Sequence, residues 1–292
     1  MSDQTFKLNI KDGAAVMEEK KKRLIELLIT DSKEKILSHT KTKKTFMVAF
    51  VGGGGKTTAI YWLANELVNQ YKQKVLITTS TNMWKPVENQ GDPWGFPVSV
   101  IKNEKRLFNI NKEAVNDPIV FGLEKKLGQG KVKLSSPGIK AFFQLKEENI
   151  FDIILIEADG SANRSVKAPA NHEPAIPPGT NQVVGLIGLS AVGKPAEENF
   201  VHRCSRFIQI TGINPGERIQ TQNLVNLIKH PEGLFKATET VDCATLLLTQ
   251  MRGKNRKEAF YRIKDALTYE RIYPQYIDAV IGSDLKQGCF YR

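Results

Sequence analysis

The segment Gly52-Gly53-Gly54-Gly55-Lys56-Thr57-Thr58 concentrates residue types that bind phosphate. A phosphate needs several backbone N–H groups aimed at one point, and glycines permit this by adopting positive φ and presenting no side chain. A helix opening near Thr57 adds unpaired N–H groups and the positive end of its dipole. Lys56 then reaches the terminal phosphates, while the Thr57 hydroxyl ligates Mg²⁺ bound to them. The expected cofactors are Mg²⁺ and ATP, with GTP allowed. A plain flexible turn between strand and helix is the bland alternative.

Further along, Phe151-Asp152-Ile153-Ile154-Leu155-Ile156 runs into Glu157-Ala158-Asp159-Gly160. Side chains two apart on a strand share a face, so Glu157 and Asp159 can point together. In a doubly wound sheet they arrive at the edge where ligands bind. Asp159 is expected to hold the metal, and Glu157 to act as base within metal reach. Lys56, Glu157 and Asp159 form the expected catalytic set. Candidate substrate contacts are Thr79 and Thr81, at the end of a strand that would lie beside the glycine loop if the two are neighbours. Hydroxyls there would equally satisfy a turn. Arg164, Lys167 and His172, among Pro169, Pro174, Pro177 and Pro178, join Lys194, His202 and Arg203 as candidates for an anionic second substrate.

These residues need elements to carry them. Phe46 to Val51 reads as a strand buried on both faces, 58–68 as a helix and Val75 to Thr79 as a second strand, together a βαβ unit. Strands are also expected at 119–121, 132–134, 151–156, 183–188, 207–210, 244–248 and 279–281. Helices are expected at 14–39, from Ser135 or Ser136 through Leu145, and at 197–205, 221–229 and 255–268. This alternation predicts an α/β fold: a P-loop NTPase-like three-layer sandwich with a mostly parallel sheet and a shortened glycine loop. Residues 1–45 form a helical basic extension, 46–250 the nucleotide-binding domain with an irregular insertion at 85–135, and 251–292 a helix and strand completing it.

The 292 residues carry a formal charge of +11, with 41% hydrophobic residues. Residues 1–45 hold eleven Lys/Arg against seven Asp/Glu and 251–292 hold nine against five, so the excess sits at the ends. No nucleic-acid motif is visible, which argues against that partner. No run spans a bilayer and the start lacks a signal-peptide layout, so a cytoplasmic protein without a membrane partner is expected. Cys204, Cys243 and Cys289 show no paired spacing and read as reduced.

The loop is shorter than the usual eight-residue phosphate motif, whose first glycine would fall at Phe50. A similar contraction occurs in Mur-type amide ligases, so an ATP-dependent ligase is one alternative function. A non-catalytic nucleotide- or RNA-binding adaptor is another. Across Val51 to Thr57, Leu76 to Thr81 and Leu155 to Gly160 the chain resembles the YqeC family. The likeness continues through Val166-Lys167-Ala168-Pro169-Ala170-Asn171-His172-Glu173-Pro174-Ala175-Ile176-Pro177-Pro178, Val184 to Leu189, Gly193-Lys194-Pro195 and Val201-His202-Arg203. That resemblance implies an NTP-dependent accessory protein in the maturation of selenium-dependent molybdenum hydroxylases. Implied partners are a molybdenum-cofactor species and a hydroxylase or selenium-delivery protein. Many relatives carry an aspartate-containing guanine-reading pattern where this chain has Thr249-Gln250-Met251-Arg252, so ATP or a loose base preference is expected.

Overall fold

The computed structural model describes residues 9–11, 14–16, 44–86, 98–101, 103–110, 116–127, 131–268 and 277–291. β1 (Asn9–Lys11) and β2 (Ala14–Val16) pair as an antiparallel hairpin. The helix expected over 14–39 therefore does not start at Ala14, and the rest of it lies outside the described residues.

The main fold opens with β3 (Phe46–Gly52), every residue of which is buried. Continuous apolar strands of this kind belong to sheets covered on both faces. The glycine turn leads to α1 (Lys56–Tyr71), closed by a left-handed Lys72. β4 (Val75–Thr79) follows, then β5 (Asn82–Trp84), β6 (Ser99–Ile101) and the short α2 (Glu104–Phe108). β7 (Ile119–Phe121), β8 (Leu123–Lys126), β9 (Val132–Ser135) and α3 (Ile139–Glu148) precede β10 (Ile153–Glu157). β11 (Val166–Lys167), β12 (Gln182–Gly188) and β13 (Val201–His202) lead to α4 (Cys204–Thr211) and α5 (Thr221–Lys229). The chain finishes with β14 (Cys243–Thr249), α6 (Lys254–Thr268), β15 (Ile277–Asp284) and β16 (Cys289–Tyr291).

Nine of the described strands make one sheet in the order β16-β15-β14-β12-β3-β10-β4-β7-β6, parallel throughout except β16. The order reverses at β3: the chain crosses through α1 to β4 on one side and later builds β12, β14 and β15 on the other. Ligand crevices in such sheets open beyond the carboxyl ends of the strands at this switch. β10 lies between β3 and β4, pairing with both. Thr79 and Thr81 are thus separated from the glycine loop by the strand carrying Glu157.

Alternation along β3 sorts the layers. Phe46, Val48 and Phe50 pack with Ile60, Leu63 and Leu67 of α1. Ala49 and Val51 face the opposite way, into the cluster holding Phe207 of α4, Leu224 of α5 and Phe260 of α6. Met47 shares that second face with Ile154 and Ile156, under Phe142 and Leu145 of α3. The molecule is an α/β fold with a large, mostly parallel sheet flanked by helices.

Several expectations need correction. Residues 207–210 form part of helix α4: Cys204, Phe207, Ile210 and Thr211 are buried at helical spacing, and the left-handed Gly212 ends the turn. Of the helix expected at 197–205, only Cys204 and Ser205 are helical, as the start of α4; residues 197–203 are turns and β13, which pairs with β11. Among the described residues of 85–135, β6 and β7 extend the main sheet while β8 and β9 join β5 in a small antiparallel one. Helix α3 starts at Ile139 because β9 retains Ser135 in its ladder with β5 and β8.

Candidate nucleotide site

β3, β10, β12 and β14 bring the glycine turn, the carboxylates and the 249–252 segment to one edge of the sheet. Gly52, Gly54 and Gly55 have φ of 92°, 91° and 117°, values that L side chains rarely adopt. The turn packs against its surroundings: a Cβ on Gly54 would sit 2.4 Å from the Gly188 nitrogen. Gly52 N–H donates to Asp159 Oδ2 at 2.9 Å, Gly53 N–H to Leu186 O at 3.0 Å and Gly54 N–H to Arg164 O at 3.0 Å. Thr249 Oγ1 donates to Gly54 O at 2.5 Å. The amides of Gly55, Lys56 and Thr57 have no protein acceptor among the described residues, as a helix's first turn dictates.

Lys56 is buried. Its Nζ lies 2.9 Å from Asp159 Oδ1 and donates to Gly52 O at 2.6 Å. Asp159 is engaged on both oxygens, since Lys167 Nζ is 3.0 Å from Oδ2. Lys167 also pairs with Glu173 Oε2 at 2.8 Å, and Glu173 in turn with Arg203 Nη1 at 2.8 Å. Lys56, Asp159, Lys167 and Glu173 are all buried, and only Arg203 at the end of this chain of charges is part-exposed. Unpaired charges at such burial would cost several kcal/mol, which explains why each has an opposite charge within reach.

Glu157 is oriented differently. Its Oε2 accepts from Thr57 Oγ1 at 2.8 Å, joining the end of β10 to the first turn of α1. Burial pushes its carboxyl above the usual range; the nearby Lys56 charge and the Thr57 hydrogen bond oppose that shift. Thr79 is buried, donating to Glu157 O at 2.7 Å and accepting from Thr81 N–H at 3.0 Å. The hydroxyls of Thr78, Ser80 and Thr81 are buried without a partner among the described residues.

The remaining candidates divide. Arg164 lines the crevice, with Nε donating to Glu198 O at 2.7 Å. His202 Nε2 lies 3.0 Å from Arg203 Nη1, and burial first, then the Arg203 charge, lowers its pKa. Lys194 is exposed, 5.6 Å over the Phe200 ring, and His172 is exposed; neither lines the crevice over the glycine turn.

That crevice has two lobes of about 410 and 360 Å³. Both touch Gly54, Gly55, Thr58 and Gln250, while Lys56, Thr57, Glu157 and Arg164 line only the larger. The smaller is basic, with Arg252, Arg256 and Lys286 beside Asp284. Gln250 divides them, its Oε1 held by the Ser165 and Ser190 hydroxyls. Asn82, Trp84 and Lys133 also line the larger lobe and escaped the sequence reading. A Trp three residues beyond a strand-end hydroxyl run was a visible signal, but its pairing with Lys133 depends on the β5–β9 register.

A glycine-rich strand-to-helix turn at the switch point of a parallel sheet defines an α/β protein with an open crevice at its carboxyl edge. The chain belongs to the YqeC family, whose model, described as YqeC protein, matches residues 48–205. It is 36% identical over 210 residues to "Uncharacterized protein YqeC" of Escherichia coli strain K12, covering 71% of this chain and 77% of that protein. No helix among the described residues is long and apolar enough to cross a membrane, and Cys204, Cys243 and Cys289 form no disulfide.

Proposed function

We propose that the chain is a Mg²⁺-dependent, P-loop-like nucleotide-binding protein that hydrolyses NTP or transfers its terminal phosphoryl group. The carrying observation is the set of open amides at Gly55, Lys56 and Thr57, which line a crevice beside the Thr57–Glu157 pair. Such amides at the start of a 16-residue helix favour an anion, and the helix dipole adds to them.

The donor set fits magnesium through Thr57 and Glu157. Mg²⁺ takes few protein ligands and retains waters and phosphate oxygens, so a hydroxyl and one carboxylate suffice. Asp159 fits less well than expected, because both its oxygens face lysines. We therefore assign the metal-side carboxylate to Glu157, and give Asp159 the job of anchoring Lys56 and the Gly52 amide. Bound magnesium would draw charge from the phosphate oxygens. The loop amides would hold the phosphates, and Lys56 would exchange Asp159 for a phosphate oxygen. Glu157, held at the crevice by Thr57, would orient the attacking group.

The resemblance carried by the Val166 to Pro174 stretch supports a place in the maturation of selenium-dependent molybdenum hydroxylases, with a molybdenum-cofactor species as cargo or substrate. ATP is the preferred nucleotide, because Gln250 and Arg252 replace the guanine-reading aspartate pattern.

Calorimetry with ATP and GTP, with and without Mg²⁺, tests the binding step. Metal-dependent heat is expected, and its absence for both nucleotides overturns the proposal. Lys56→Ala should lower turnover at least about a hundredfold, on the scale of losing a charge-stabilising group. Full turnover by a folded variant would remove Lys56 from the mechanism.

A further inference from the structure

We propose that the larger lobe of the crevice is a second-substrate site for a planar aromatic anion, occupied together with the nucleotide. The inference rests on the nucleotide reading above and extends it. Thr57 and Glu157 border only the larger lobe, so the terminal phosphate of a nucleotide seated on the loop amides points there. The nucleoside then leaves through the smaller lobe. The lobe measures about 410 Å³ with the phosphate space included, and it runs on past Glu157 to Asn82, Trp84 and Lys133, leaving more room than an attacking water needs.

The walls of this space are specific. β5 alternates exposed, buried, exposed, so Asn82 and Trp84 share a face while Met83 enters the core. Trp84 is 48% exposed and lines the lobe, leaving a large apolar ring beside a polar cleft. Lys133 stands opposite Trp84 on β9, its Nζ 4.7 Å from the ring centroid. The other wall brings Asn163 and Arg164. Ala162 and Asn163 adopt φ of 48° and 59°, and two successive left-handed non-glycine residues are an uncommon cost to maintain in an idle loop. An aromatic platform flanked by Lys133 and Arg164, with amide side chains between, suits a ligand combining a flat ring with a negative group.

Flavin mononucleotide serves as the probe, with riboflavin as its uncharged counterpart. Full-length protein is saturated with Mg²⁺ and a non-hydrolysable ATP analogue, and flavin fluorescence is followed on titration. Saturable quenching is expected, with riboflavin binding at least about tenfold more weakly for want of its phosphate. Trp84→Ala should weaken the flavin phosphate at least about tenfold, the scale of one lost base–aromatic stack. Lys133→Glu should penalise the phosphorylated probe more than riboflavin, which keeps the test alive if Trp84→Ala fails to fold. No quenching, or equal quenching by wild type and Trp84→Ala, overturns the second site. Calorimetric heat from the ATP analogue without any flavin response sinks this inference alone, whereas no heat sinks the nucleotide reading beneath it.

Discussion

Glu157 carries two demands at one position. Its carboxylate must face the crevice to receive the Thr57 hydroxyl, yet β10 buries it among apolar strands. Burial raises its pKa above the ordinary 4.5, so the folded protein binds this proton more tightly than the unfolded chain. The stability contributed by the protonated group is fully present below pH 4.5 and is lost as pH rises through the raised folded value. Glu157→Gln keeps the shape and removes the titration. Denaturant unfolding from pH 4 to 8 should therefore show wild type losing stability relative to the variant as pH rises. A constant difference across that range would mean the carboxyl is solvated well enough to titrate normally. At this scale the sequence was informative about residue identity but less so about role. Lys56, Glu157 and Asp159 all reach one corner of the molecule, but the Lys167 ammonium that claims Asp159 arrives from a separate element.

The glycine turn, as an element, separates backbone strain from steric room. Gly54 has φ 91° and no space for a Cβ, which would meet Gly188 backbone at 2.4 Å. Gly55 has φ 117°, but its nearest neighbour would be Leu285 Cδ1 at 3.5 Å. Gly55→Ala should cost about 1–3 kcal/mol from backbone strain alone and weaken nucleotide binding by turning the open amides. Gly54→Ala should cost more than that, because backbone must also move. Thermal melts of the two variants check the ranking, and equal losses would show that the turn relaxes as a unit. Legibility from sequence follows the same physics. β3, α1 and β10 were readable because each combines a long apolar pattern with an unmistakable terminus. The run Phe207-Ile208-Gln209-Ile210 was not, since four residues fit strand and helix periods alike and only packing on α5 decides. The small β5-β9-β8 sheet, and with it the Trp84–Lys133 pair, depends on cross-strand register that local patterns do not encode.

At the scale of the whole molecule, four buried charges and the part-exposed Arg203 join parts of the chain far apart in sequence. Lys56 opens α1, Asp159 follows β10, Lys167 ends β11, Glu173 lies in the proline-rich loop and Arg203 precedes α4. Three cations share two carboxylates, so the anions limit the arrangement. Lys167→Met leaves Asp159 with Lys56 and Glu173 with Arg203, two complete pairs around a side chain of similar length. Replacement of a buried charge is tolerated when its partners stay paired. Asp159→Asn is nearly isosteric, yet it strips Lys56 of its carboxylate and leaves Lys167 to share Glu173 with Arg203. Breaking a buried pair in this way costs about 3–5 kcal/mol. Urea unfolding should accordingly find Asp159→Asn the more damaging change, although it removes no volume, and Lys167→Met the milder. The reverse order would mean that Lys167 stabilises the fold through its own contacts with the 166–176 loop, and that charge balance is not what ties this loop to the glycine turn.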